Sequence, residues 1–261
     1  MADGALPMVP DVSLSMLSHP GLPRKITTQS LPNHNEIRRF YDNVYYEDVR
    51  ITGNIPVHLR RLAARLGPWK DKQLLDVGCG AGQWLMAATE LGAVPAGIDI
   101  SQVAIDACRK MLPQAELYCG PAEDLPFEDR RFDVISCLGS LEHFLEPEKA
   151  LREMVRVAMP RASVLLLVPN ADFLPRRLGL YSGTYQKEIR EDVRTLAGWE
   201  RLFESAGLRV VKRWRDLHVL SMPWIFQGKW YAWPFRAAQA FALPLWPLSW
   251  QYQVFHLCEI R

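Results

Sequence analysis

The stretch Leu74-Leu-Asp-Val-Gly-Cys-Gly-Ala-Gly82 decides the fold. The apolar run from Gln73 to Val77 predicts a short buried strand, and the glycines that follow predict a tight turn into a helix beginning at Gln83. Glycine lets the backbone turn sharply, approach a ligand closely and present its amides at a helix N-terminus. An ordinary strand-to-helix turn uses glycine for the same reasons, so the loop alone does not define a ligand.

Strand and helix patterns alternate on the carboxyl side of this loop. Further strands are predicted at residues 93–98, 115–119, 132–138, 163–168, 208–215 and 251–259, and helices at residues 83–91, 101–111, 147–157 and 198–206. The first strands are continuous apolar runs, which only a sheet covered on both faces would bury. We therefore predict an α/β fold with a mostly parallel seven-stranded sheet and helices on both faces, in which the last two strands can pair antiparallel.

Two acidic residues at predicted strand ends narrow the choice of ligand. Asp76 stands just before the first glycine, Gly78, where a carboxylate is unhelpful for a pyrophosphate but suits a cation such as an aminoacyl sulfonium. Asp99 ends the next strand, where an acid can accept both hydrogen bonds of a ribose diol. Asp99 could instead cap a helix, although Ser101 is the better N-cap. A nicotinamide dinucleotide fits less well, because Gly82 comes one residue too early for the usual glycine pattern.

Four further motifs follow the glycine loop in order. They are Gly97-Ile-Asp-Ile-Ser101, Ala122-Glu-Asp-Leu-Pro-Phe127, Phe132-Asp-Val134 and Leu141-Glu-His-Phe144. With these motifs, residues 40–215 resemble the class I S-adenosylmethionine-dependent methyltransferases, in particular the branch similar to quinone-biosynthesis (type 11) enzymes. The resemblance implies a Rossmann-like fold, methyl transfer and S-adenosylmethionine as the cofactor.

The resemblance also implies which residues bind the cofactor. They are Asp76, Gly78, Cys79, Gly80, Asp99, Ile100, Ala122, Glu123 and Leu138. In this assignment Asp76 and the glycine-loop backbone hold the methionine end, and Asp99 holds the ribose. The chain around Leu138 closes under the sulfonium.

The adenine contacts implied by the resemblance include one departure from the family pattern. Ile100 would pack on the ring, and the Ala122 amide would meet the ring edge. Pro121 stands where many relatives carry an acid, and its side chain cannot receive the adenine amino group. Glu123 or Asp124 is left to take that role.

Four residues are candidates for the site that binds the methyl acceptor. His143 follows the fourth strand at the carboxyl edge, where open α/β sheets bind ligands, and an imidazole suits a general base near neutral pH. It could equally pack or hydrogen-bond beside the cofactor. Tyr41 and Tyr45 could line the acceptor site or simply pack a lid helix onto the sheet. Arg176 could bind an anionic group of the acceptor, with a solvated loop charge as the alternative.

The chain is predicted to form a single domain behind a tail. The divisions are a flexible tail at residues 1–33, a helical cap at 34–70, a cofactor-binding core at 71–215, an aromatic insertion at 216–250 and the last strand at 251–261. The tail lacks the pattern of a secretory signal. The insertion is aromatic and nearly uncharged. It could be a lid over an apolar pocket, a peripheral membrane contact through residues 224–250, or a dimer contact or extra core.

Composition restricts the compartment and the partners. A net charge of +2 argues against a dedicated nucleic-acid binder, which normally shows a basic excess on one face. The five cysteines form no Cys-x-x-Cys pair, which predicts a reduced cytoplasmic protein without a zinc site or disulfides.

We therefore expect a cytoplasmic enzyme, or one at the inner face of a membrane, that methylates an O or C nucleophile. Its acceptor would be small and hydrophobic, such as a quinone, a polyketide or a lipid-linked sugar. Two alternatives stay open, namely a methyltransferase acting on RNA or protein and a non-catalytic cofactor-binding regulator. The oligomeric state also stays open.

Overall fold

The computed structural model describes residues 33–46, 53–179, 191–217, 226 and 230–261. Apart from Asn33, the predicted tail lies outside these residues, as does Trp224 of the predicted insertion. Of the helices in the described ranges, none combines the length and apolarity required to cross a bilayer.

Seven strands form one sheet in the order β3-β2-β1-β4-β5-β7-β6. They are β1 (Gln73–Val77), β2 (Val94–Asp99), β3 (Glu116–Cys119), β4 (Phe132–Leu138), β5 (Ala158–Pro169), β6 (Leu208–Arg215) and β7 (Gln253–Ile260). Strands β1 to β5 are parallel to one another, whereas β7 lies antiparallel between β5 and β6. The predicted mostly parallel sheet and the antiparallel pairing of its last two strands are both confirmed.

Helices cover both faces of this sheet. They are α1 (His34–Phe40), α2 (Val57–Leu66), α3 (Gln83–Thr89), α4 (Gln102–Met111), α5 (Pro147–Val157), α6 (Leu174–Arg177), α7 (Leu196–Ser205) and α8 (Trp233–Ala242). A π-helical turn, Tyr41–Tyr45, continues α1, and 3-10 turns occur at Leu141–His143, Trp230–Ala232, Leu243–Leu245 and Leu248–Trp250. Helices α5 and α7 contribute to one apolar core, and α2, α3 and α4 contribute to a second.

The continuous apolar strands follow from these two cores. Successive residues of a strand point to opposite faces of a sheet, so a strand buried on both faces needs apolar residues at every position. In β1, Leu74 belongs to one core and Leu75 to the other. In β5, Leu165 and Leu166 divide in the same way. Burial of each such side chain contributes about 1.5–3 kcal/mol to the free energy of unfolding.

Strand β5 is longer than predicted. It runs over Ala158–Pro169 rather than residues 163–168, because its pairing with β4 continues across a register shift between Phe132 and Val134. Pro160 and Arg161 are exposed in the added part, so the apolar pattern used for the prediction missed it.

The carboxyl ends of the parallel strands meet at one edge of the sheet, where ligands bind in open α/β folds. Strand β5 ends at Pro169 opposite Gln253, the first residue of β7. Arg215, the last residue of β6, pairs with Val254. The segment between β6 and β7 therefore leaves and re-enters the sheet at this same edge.

Candidate functional site

The glycine loop after β1 is held against two neighbouring loops. The amides of Gly78 and Cys79 donate to the Ile98 carbonyl at 2.8 and 3.0 Å. Gly78 has a φ of +76°, and a Cβ on it would lie 2.6 Å from both Cβ and Oγ of Ser140. Any side chain here would push the loops after β1 and β4 apart, so this close approach requires glycine.

Asp76 is buried at the end of β1. Its carboxylate accepts a hydrogen bond of 2.7 Å from the Ser136 hydroxyl, which in turn accepts one of 2.9 Å from the Trp84 indole. Burial raises the pKa of Asp76 to about 7, against the opposing effect of the Ser136 hydrogen bond. The carboxyl group is therefore fixed in position and only partly ionised at neutral pH.

Asp99 ties the loop after β2 to the glycine loop. Its carboxylate accepts from the Gly80 amide at 2.8 Å and from the Ser101 amide at 2.9 Å. Burial raises the pKa of Asp99, and these two amides partly offset that increase. The Ser101 hydroxyl accepts from the Ala104 amide, which confirms Ser101 as the N-cap of α4.

The other predicted cofactor residues line the same edge. Cys79 and Ala122 are buried, whereas Ile100 and Leu138 are partly exposed. Glu123 is buried, and both of its carboxylate oxygens already have partners: the Glu146 amide at 3.1 Å and His34 Nε2 at 3.3 Å. These contacts favour an anchoring role for Glu123 over binding of the adenine amino group.

The N-terminal cap crosses this edge and is attached by side chains that the sequence prediction did not include. Arg38 donates to the Ile100 carbonyl at 3.0 Å, and Asp42 accepts from the Ser101 hydroxyl at 2.6 Å. With the His34–Glu123 contact, the cap spans the loops after β2 and β3. The sequence did carry a sign of where the cap begins, since Asn33 and Glu36 form the capping box that starts α1.

The cap carries three tyrosines over the site. Their rings form edge-to-face pairs, with centroids 5.5 Å apart for Tyr41–Tyr45 and 4.9 Å for Tyr45–Tyr46. The Tyr46 hydroxyl lies 3.1 Å from the position that a Cβ on Gly80 would take. Burial and the charge of Asp99 raise the pKa of Tyr45 to about 12. Tyr46 therefore lies against the glycine loop, and the predicted Tyr41 and Tyr45 lie within electrostatic reach of Asp99 in a π-helical turn of a kind often found at functional sites.

Glu142 and His143 form a buried pair in the 3-10 turn after β4. His143 Nε2 lies 4.0 Å from Glu142 Oε1. Glu142 Oε2 and His143 Nδ1 are buried and have no hydrogen-bond partner among the described residues. Burial raises the pKa of Glu142 to about 8 and lowers that of His143 to about 4. Both groups are thus mainly neutral at pH 7, although the sequence suggested an imidazole pKa near neutrality for His143.

Tyr41 connects the cofactor side of the site with this pair. Burial, followed by the charges of Asp99, Tyr45 and Glu142, raises its pKa. The Tyr41 hydroxyl is therefore within electrostatic reach of both acids. Glu142 belongs to the Leu141-Glu-His-Phe motif of the sequence. Its burial makes it a candidate site residue, and that burial could not be predicted from the sequence alone.

Arg176 is not part of the hydrogen-bond network that joins these residues in the described part of the chain. It is partly exposed on the short helix α6 beyond β5. Within the described part of the chain, no hydrogen bond or ion pair joins its guanidinium to the loops after β1, β2 or β4.

Three buried or partly buried acids therefore share one site. They are Asp76, Asp99 and Glu142, and burial is the largest influence on the pKa of each. For the described residues, no lysine or arginine is among the main influences on these pKa values. Such a site suits a ligand that brings positive charge.

The fold and the site together define a class. A sheet of this strand order, with a glycine loop after β1 and an acid at the end of β2, is typical of nucleoside-binding α/β proteins of the methyltransferase type. A chain from a Haloferax volcanii complex of the Trm112 methyltransferase activator with a methyltransferase shares the fold. Its TM-score is 0.60 at 20% identity, and the match covers 78% of this chain and 88% of that one.

Sequence comparisons identify the family. The family model described as "Methyltransferase domain" matches residues 75–166. The ubiquinone biosynthesis O-methyltransferase of Alkalilimnicola ehrlichii is 32% identical over 172 residues, which cover 64% of this chain and 69% of that protein. This chain belongs to the S-adenosylmethionine-dependent methyltransferase family.

Other relatives match over a shorter region. A ubiquinone biosynthesis O-methyltransferase of Coxiella burnetii is 30% identical over 45% of this chain and 52% of its own length. The norajmaline N-methyltransferase of Rauvolfia serpentina is 33% identical over 38% of this chain and 36% of its own length. The chain thus spans about half the length, or less, of these curated relatives.

Proposed function

We propose that this chain transfers the methyl group of S-adenosylmethionine to an O or C nucleophile of a small hydrophobic acceptor. The observation that carries the proposal is the cluster of Asp76, Asp99 and Glu142 at the ligand-binding edge, three acids whose pKa values are raised by burial, with no described lysine or arginine among the main influences. The cofactor of the family bears a sulfonium and an amino group. A bound cation favours the ionised form of nearby acids, so binding of that cofactor and ionisation of these acids would support each other.

The residues present fit this cofactor. Asp76 and the amides of the glycine loop would hold its amino-acid end, and Asp99 would accept from its ribose hydroxyls. Ile100 and Ala122 would contact the adenine, with Leu138 beneath the sulfonium. S-adenosylmethionine supplies a methyl group that is already activated, so the protein's main task is alignment, which can contribute about 7–11 kcal/mol.

We further propose that His143 accepts the proton of the acceptor nucleophile. Its imidazole is neutral above a pKa of about 4, and its buried Nδ1 has no hydrogen-bond partner among the described residues. Ionisation of Glu142, 4.0 Å away, would stabilise the imidazolium that forms. Tyr41 and Tyr45 would exclude water and form one wall of the acceptor site, with Arg176 at its margin.

The hydrophobic acceptor is supported by two independent features. The relatives of this chain include enzymes named for ubiquinone biosynthesis. The aromatic segment between β6 and β7 also lies at the edge of the sheet that carries the site. We therefore propose a cytoplasmic protein that works at the inner face of a membrane, where such acceptors dissolve.

Radiolabelled methyl transfer into a host-cell extract, followed by separation into aqueous, lipid and macromolecular fractions, tests this function. We expect label in the lipid fraction, and we expect Asp99→Asn to lower the affinity for S-adenosylmethionine about tenfold, since one carboxylate oxygen is lost as an acceptor. Asp106→Asn is the matched control, because Asp106 is an exposed acid on α4. Cofactor binding without label in any fraction would instead indicate a regulator. Label in the macromolecular fraction would indicate an RNA or protein acceptor.

A further inference from the structure

One face of the insertion is apolar and points away from the protein. Its five members lie on α8 and in the 3-10 turns at its two ends, and the three on α8 are spaced four and three residues apart, which places those three on one side of the helix. The five members are Trp230, Pro234, Ala238, Phe241 and Leu245, and all are exposed. Phe241 is 83% exposed and Leu245 85%, values far above those usual for large apolar side chains. We refer to these five residues as the apolar ridge.

The apolar ridge is held firmly on the fold. On the opposite side of the same segment, Leu243 is buried. The Gln251 side chain donates to the Leu243 carbonyl at 2.8 Å, and the Asn170 side chain donates to the Ser249 carbonyl at 2.7 Å. Arg215 also donates to the Pro244 carbonyl. Because the buried side is bonded to Arg215 of β6 and to residues next to the ends of β5 and β7, the outward direction of the ridge is a property of the packing.

The charge of the segment indicates what the ridge contacts. Between Asp216 and Glu259 the sequence contains no acidic residue, whereas it contains Lys229 and Arg236. A surface without negative charge is complementary to anionic lipid headgroups, which attract basic residues. Tryptophan and tyrosine, here Trp230 and Tyr231, favour the headgroup level of a bilayer.

We propose that the apolar ridge inserts into the headgroup region of a bilayer containing anionic lipid. Phe241 and Leu245 protrude into solvent, so they fit a deformable lipid surface better than a second rigid copy of the chain, which would need a matching groove. The inference rests on the proposed function in one respect. The ridge belongs to the segment at the ligand-binding edge, so docking brings that edge to the lipid in which a hydrophobic acceptor dissolves.

Vesicle flotation with the full chain tests the docking. The probes are phosphatidylcholine vesicles with and without phosphatidylglycerol. We expect binding to the anionic vesicles, and we expect Phe241→Ser/Leu245→Ser to weaken it at least about tenfold by removing the largest exposed apolar groups. Val57→Ser/Leu91→Ser is the matched control, since both side chains are exposed and lie outside the insertion. This control should bind like the wild type.

Absence of wild-type binding to anionic vesicles would overturn the inference. So would a result in which the ridge variant dissociates a dimer while its vesicle binding is unchanged, because the ridge would then be a subunit interface. Methyl transfer to a detergent-dispersed acceptor is measured in parallel. Transfer without vesicle binding refutes the docking alone, whereas vesicle binding without transfer supports the docking and refutes the proposed function.

Discussion

The two sides of the candidate site differ in how completely their polar atoms are satisfied. On the cofactor side, the Asp76 and Asp99 carboxylates accept hydrogen bonds from a hydroxyl and from two backbone amides. On the acceptor side, Glu142 Oε2 and His143 Nδ1 are buried, and the described residues offer them no hydrogen bond. Buried polar atoms are normally paired. In the proposed function, the cofactor side is therefore preformed, whereas the acceptor side would be completed by its ligand.

Of the changes considered, replacement of His143 by Asn should have the largest effect, and the effect should fall on the acceptor side. Loss of a general base typically lowers kcat by about 10²–10⁴-fold, while the cofactor affinity should stay unchanged because the preformed side is untouched. Rates and calorimetric affinities of the two proteins check this. Because burial lowers the pKa of His143 to about 4, protonation of this base should not reduce the wild-type rate between pH 6 and 8. A full rate for His143→Asn would leave the histidine a packing role only.

On the cofactor side, the pH dependence of the free energy of unfolding tests the burial of Asp76. Because burial raises the pKa of Asp76 from 3.8 to about 7, the folded state retains this proton to higher pH than the unfolded state. The stabilisation that this bound proton gives the folded state is fully present below pH 3.8, and it is lost as the pH rises through about 7. Asp76→Asn should therefore increase the free energy of unfolding of the ligand-free protein at pH 8, by at most about 4 kcal/mol.

Urea unfolding at pH 4 and at pH 8 measures this difference. The gain from Asp76→Asn should shrink toward zero at the lower pH, and Asp106→Asn should show no comparable change between the two values. Equal stability of Asp76→Asn and wild type at pH 8 would mean that Asp76 ionises in the folded protein without cost.

Release of the cap should have the smallest effect. Asp42→Ala removes the bond to the Ser101 hydroxyl and a 3.3 Å bond from the Val103 amide. We expect the affinity for S-adenosylmethionine to fall about threefold to tenfold, since the 2.6 Å bond to Ser101 contributes roughly 0.5–1.5 kcal/mol. Asn43→Ala, an exposed position in the same turn, is the calorimetric control. An unchanged affinity for Asp42→Ala would separate the cap from cofactor binding.

Local patterns were sufficient to predict the sheet and the position of the glycine loop. The apolar runs around Leu75 and Leu166 reflect burial on both faces, which the unbroken apolar pattern indicates. The polarity of β5 at Pro160 and Arg161 concealed its first half, because strand pairing there does not depend on apolar side chains.

Local sequence patterns could not predict the side-chain contacts that hold the site together. Arg38 binds the Ile100 carbonyl across 62 positions of the chain, and Asp42 binds Ser101 across 59. Such contacts depend on how elements pack, and no spacing in the sequence encodes them. The pKa of His143 was missed for a related reason, because it depends on how deeply the 3-10 turn is buried.

The position of β7 has a consequence for synthesis of the protein. Strand β7 is the last strand along the chain, yet it pairs with β5 on one side and β6 on the other. Until it leaves the ribosome, β5 keeps an open edge and β6 has no partner in the sheet. Open apolar edges are templates for intermolecular pairing. A nascent or truncated chain that stops before Gln253 should therefore depend on chaperones, even though its glycine loop is already complete.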